Sequence, residues 1–97
     1  MKHFVVEITY KVSLEKIEDK LKEHRIFLQT GYDNGLLLMS GPQIPRLGGI
    51  IIARAVSMEE IAAYFESDPF SKLEYATYQY IEFNPVNHQN FMKNWVE

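Results

Sequence analysis

There is no cysteine anywhere in the 97 residues. Disulfide staples and thiolate metal centres are therefore excluded, and the lack fits a reducing compartment, so a cytoplasmic location is expected. Long apolar runs are missing as well. The longest uncharged apolar stretches, Leu36 to Met39 and Ile50 to Ala53, fall far short of the roughly 20 residues a bilayer span requires. Phe4-Val5-Val6 is broken by Glu7 too early for the core of a secretory signal, so no targeting segment is expected. Charge of one sign is not concentrated: 10 Lys and Arg stand against 13 Asp and Glu, a net charge of −3 with no long block of like charges. Nucleic acid and a membrane surface thus lack the electrostatic footprint of a partner. Histidines number only 3 and are scattered, with no pair at ligand spacing, which argues against a metal site. No Walker loop, dinucleotide fingerprint or nucleophile elbow occurs, since Gly48-Gly49 fits none of them, and no cofactor is expected.

What remains is ordinary globular composition, 46% hydrophobic and 24% charged, enough for a single domain over residues 1–97 that buries roughly two-thirds of its unfolded surface. Phe4, Val6, Ile8 and Tyr10 alternate with His3, Val5, Glu7 and Thr9, the period of a strand with one apolar face. Ser13 stands where an N-cap belongs, ahead of a helix predicted over Leu14 to Thr30, with Glu18 and Lys22 as an i,i+4 pair. Gly31 reads as its stop and Asp33-Asn34-Gly35 as a turn. Strands follow over Leu36 to Ser40 and Ile50 to Val56, separated by a loop from Gly41 to Gly49. Ser57 and Glu60 form a capping box for a second helix that buries Met58, Ile61, Ala62 and Phe65. Asp68-Pro69 opens a short turn, because Asp caps well and proline suits the first helical position. A tyrosine-rich strand over Glu74 to Phe83 and a short helix within Asn87 to Val96 complete the chain, residues 86–97 forming a C-terminal extension. The order is βαββαβ, an α+β ferredoxin-like fold with a four-stranded antiparallel sheet carrying its helices on one face.

Two strands break the alternation such a sheet should show. Leu36-Leu37-Leu38-Met39 and Ile50-Ile51-Ile52-Ala53 are apolar at consecutive positions, so both their faces ask for cover. Helices supply one cover. The other is expected from a second copy of the chain, giving a symmetric homodimer, unless a few exposed aliphatics are simply tolerated.

His24 interrupts the stripe Leu14, Ile17, Leu21, Leu28, while Glu15, Glu18, Asp19, Lys22 and Arg25 occupy the polar face. An inward imidazole is either a structural group bonded to backbone or an acid/base that titrates near neutrality. Asp68 is either only a helix cap or also the carboxylate that would orient that ring and fix its tautomer. Ser40-Gly41-Pro42 ends a strand where a ligand could approach the backbone. Arg46, the one cation in the following loop, is a surface arginine or a partner for a carboxylate or phenolate. Arg54 lies within the third strand as an edge charge or a group facing a wet cavity. Tyr75, Tyr78 and Tyr80 read first as sheet packing and second as walls for a planar ligand.

The inward His24, the segment Leu36-Leu37-Leu38-Met39-Ser40-Gly41-Pro42 and the segment Asp68-Pro69-Phe70-Ser71-Lys72 together resemble the YciI-like (YCII-related) family. The resemblance implies the dimeric α+β barrel form of the fold, related to muconolactone isomerases and small cofactor-free monooxygenases. It also implies an active-site histidine and aspartate at His24 and Asp68, with one branch dehydrochlorinating a hydroxylated aromatic. Lys72-Leu73-Glu74 stands where the family has a glycine. Two functions are therefore expected to compete. One is a lyase- or isomerase-type enzyme acting on a small anionic or phenolic molecule, with Ser40, Gly41, Pro42 and Arg46 holding the ligand. The other is a non-catalytic metabolite-binding or structural homodimer.

Overall fold

Alternation in the first strand decides which side of the sheet is inside. In the computed structural model, which describes residues 1–97, β1 (Lys2–Tyr10) buries Phe4, Val6 and Ile8 toward the helices. It is a central strand, antiparallel to β3 (Gly48–Ala55) on one side and to β4 (Ala76–Phe83) on the other. β2 (Leu37–Pro42) pairs with β3 at the edge, giving the order β2-β3-β1-β4 of a ferredoxin-like α+β sheet. In register with Val6 and Phe4, the β3 residues Ile51 and Ala53 point the same way and are buried. Gly48 must be glycine here, because a Cβ would lie 1.6 Å from the Ile8 carbonyl oxygen.

Three helices cover the inner face: α1 (Leu14–Asp33), α2 (Met58–Phe65) and the single turn α3 (Pro69–Lys72). Ser13 caps α1 by accepting from the Lys16 amide at 3.4 Å, and Ser57 caps α2 by accepting from Glu60 at 3.1 Å. Ile17, His24 and Leu28 of α1 are buried, whereas Leu14 stays nearly half exposed and takes no part in the core. Gly31 does not stop the helix as expected. It lies inside α1, where a Cβ would sit 2.5 Å from the Tyr64 hydroxyl and 2.7 Å from Leu37. The stop falls instead at Asn34 and Gly35, the latter at φ 75°.

Other boundaries shift for similar local reasons. Gly41 and Pro42 belong to β2 rather than to the loop, which an edge strand permits because proline's missing donor is not needed there. The loop shrinks to residues 43–47. The extension forms a 3₁₀ turn (Asn90–Met92) followed by the short helix α4 (Lys93–Val96). Phe91 stays 83% exposed, but Trp95 folds onto the outer sheet face. Arg54 donates to the Trp95 carbonyl at 3.0 Å, lies 4.1 Å from the centre of its ring, and donates through Nε to the Gly35 carbonyl at 2.9 Å. His3 packs between Trp95 and Phe83. Beyond this end the outer face presents Val5, Ile50 and Ile52 half-buried, with Met39 and Ile81 exposed. No helix is long and apolar enough to cross a membrane.

Candidate active site

α1 directs His24 to the sheet side, and the α2–α3 junction brings Asp68 beneath it. His24 Nδ1 lies 2.8 and 3.0 Å from the two Asp68 carboxylate oxygens. Asp68 is fully buried, and burying a lone charge is expensive unless donors surround it. They do: Tyr78 donates its hydroxyl at 2.7 Å, and the Phe70 amide donates at 3.2 Å. Asp68 is thus the cap of α3 and the partner of His24 at once. An ionised carboxylate only accepts, and the network therefore assigns a proton to Nδ1. Nε2 makes no hydrogen bond within the chain. Phe70 stacks on the imidazole with ring centres 4.2 Å apart and planes 15° from parallel.

The phenols around this pair stay protonated. Burial, then the charge of Asp68, raises Tyr78 far above its ordinary range, so it serves as a fixed donor. Burial, followed by Glu66 and Asp68, pushes Tyr80 up to about 12. Tyr64, raised chiefly by burial, donates to the Phe27 carbonyl at 2.9 Å.

Between α1 and the inner sheet face lies a cavity of about 210 Å³ lined by His24, Arg25, Ser40, Gly41, Pro42 and Arg46 over an apolar floor of Ile8 and Ile51. Asp68 sits behind His24 and does not line it. The space beside Gly41 is open, for an added Cβ would meet nothing within 4 Å. Ser40 shares a 2.6 Å hydrogen bond with Tyr32. Arg46 pairs with the Glu18 carboxylate, which more than any other group raises it above its ordinary value. Glu18 therefore bonds the loop rather than Lys22. Arg54 faces the other side of the sheet, where it secures the tail instead of lining the cavity. No three His, Cys, Asp or Glu side chains gather as a potential metal-binding group.

Sequence reasoning missed three participants. Tyr78 was indistinguishable from Tyr80 by alternation alone, since both face inward. Arg25 was placed with the polar face, yet as the i+4 neighbour of Leu21 it reaches the same rim. Phe70 stands in the Asp68-Pro69-Phe70 segment, but nothing in the sequence announces that it stacks on His24.

An antiparallel α+β domain with an imidazole–carboxylate pair at the wall of one small cavity is what the fold and the geometry define. A model of the YCII-related domain matches residues 1–84, and the chain belongs to that family. Its structure is similar to 5-chloro-2-hydroxyhydroquinone dehydrochlorinase (TftG) from Burkholderia phenoliruptrix AC1100, solved in complex with 2,5-dihydroxybenzoquinone. That likeness has a TM-score of 0.70 at 20% identity, covers 92% of this chain and 97% of the other, and is a likeness of fold. No curated protein matches the chain.

Proposed function

We propose that the chain is a cofactor-free acid/base enzyme of the lyase or isomerase type, acting on a small anionic or phenolic ring molecule bound between α1 and the sheet. The observation that carries this reading is His24 lining the cavity while its Nδ1 is held by buried Asp68 at 2.8 Å. Nε2 is then the nitrogen available to take or give a proton, and Asp68 keeps the ring in one tautomer and stabilises the imidazolium when it forms. Arg46, Arg25 and the Gly41 backbone, with Ser40 and Pro42 shaping the wall, hold the ligand and its developing negative charge. The dehydrochlorinase of similar fold is named for a hydroxylated ring substrate, which guides the choice of test compounds.

The single domain works as a homodimer in a cytoplasmic setting. Val5, Ile50, Ile52, Met39 and Ile81 make an outer face whose natural cover is the same face of a second copy. Light scattering should give twice the monomer mass, and Ile52→Asp should halve it.

Reversible proton abstraction leaves a trace that needs no knowledge of the product. Incubated in D2O with a panel of hydroxylated quinols, phenols and enol lactones, the wild type should incorporate deuterium at carbon into at least one compound. His24→Gln should incorporate none. Binding without exchange across the whole panel would favour the non-catalytic module.

A further inference from the structure

Arg46 and Glu18 meet across the rim of the cavity, one from the loop of residues 43–47 and the other from α1. We infer that Glu18 is a specificity-determining residue: its carboxylate occupies Arg46 in competition with the ligand's anionic oxygen, so that it tempers the preference Arg46 gives the site for negatively charged ring compounds over neutral ones. The inference rests on the cavity being a ligand site, as proposed above.

Leu21 and Arg25, one and two turns beyond Glu18 on α1, line the cavity itself, so Glu18 lies on the continuation of the same edge. Arg46 lines the cavity and is bonded outward to Glu18 at the same time. The charged and titratable groups facing this space are Tyr10, His24, Arg25 and Arg46, with Glu18 the carboxylate at its rim and Asp68 shielded behind the imidazole. Arg25 has no ion-pair partner. An anionic ligand reaching Arg46 exchanges one oxygen anion for another, leaving the guanidinium paired throughout. A neutral ligand leaves Glu18 in place and gains nothing from Arg46. Glu18 therefore lowers the affinity for anions alone, by the strength of a half-exposed ion pair.

An exposed pair of this kind corresponds to about a two- to five-fold change in affinity. The test is calorimetric titration of the full chain with 2,5-dihydroxybenzoquinone, anionic at neutral pH, and with 1,4-hydroquinone, a neutral ring of similar size. Glu18→Gln should bind the anion about two- to five-fold more tightly and the neutral ring unchanged. Asp19→Asn, which removes the same charge one residue away, should shift anion binding by less than half that factor. In an Arg46→Gln background, Glu18→Gln should have no effect. Equal tightening in Asp19→Asn, or tightening that persists without Arg46, would overturn the inference. So would wild-type binding that Glu18→Gln leaves unaltered, while the ligand-site reading would stand. If no form of the protein binds the anion at millimolar concentration, both readings fall together.

Discussion

Replacing Asp68 by alanine removes one carboxylate and strands three donors. The His24 Nδ1–H, the Tyr78 hydroxyl and the Phe70 amide all converge on it. A buried donor left without an acceptor costs about 1–3 kcal/mol. The Phe70 amide also loses the cap of α3, an effect of about 1 kcal/mol, while the half-buried Tyr78 can turn its hydroxyl to water and stays at the low end. The expected loss for Asp68→Ala is about 3–5 kcal/mol. In a domain of this size each kcal/mol lowers Tm by about 4–8 °C, so the midpoint should fall by about 12–40 °C. Asp68→Asn keeps the shape and one acceptor but aims an NH2 group at one of the donors, and should cost about 1.5–3 kcal/mol. Circular dichroism melts and urea titrations measure both. Glu66→Ala, an exposed carboxylate nearby, is the control and should move stability by less than about 0.5 kcal/mol. A loss below about 1 kcal/mol for Asp68→Ala would refute the account of how this carboxylate is held.

Gly48→Ala should destabilise by more than about 3 kcal/mol or abolish soluble expression, because the new methyl group would overlap the Ile8 carbonyl and force β1 and β3 apart. Glu74 adopts φ 57°, a left-handed conformation that favours glycine, so Glu74→Gly should raise stability by about 0.5–1 kcal/mol in urea titrations. His3 is buried with Nε2 lacking a partner, and burial lowers it below its ordinary 6.5. The folded state then binds fewer protons than the unfolded state as the pH drops. This contribution is complete above 6.5 and is lost as pH falls through the lower folded value. His3→Phe should flatten stability between neutral and mildly acidic pH, read by urea titration at several pH values. Arg54→Met should release the tail and red-shift the emission of Trp95, the single tryptophan.

The order of elements could be read from the chain because local signals agreed: period-two alternation in β1, caps at Ser13 and Ser57, and turn residues at Asn34-Gly35. Where one residue type serves two ends, reading faltered. Gly31 carries the mark of a helix stop, but what demands glycine there is the approach of Tyr64 and Leu37, which only the folded chain supplies. Glu18 has Lys22 at favourable spacing along its own helix, yet bonds an arginine from a distant loop, a choice no periodicity encodes. His24 and Asp68 stood out as a pair of unusual placements, but they are 44 positions apart. Their contact depends on how α1 and α3 lie on the sheet. The tail's anchoring was hidden for the same reason, since His3, Arg54 and Trp95 come from three separate stretches.

Because one carboxylate both starts a helical turn and grips the imidazole, the two residues have reason to persist even in a descendant that has lost all turnover. Their joint presence in a sequence is therefore poor grounds for assigning chemistry. The more telling groups are those whose removal leaves folding untouched. Arg25, exposed at the rim and in no ion pair, is such a group, and under the proposed function its loss would mark a relative that had stopped using the hollow.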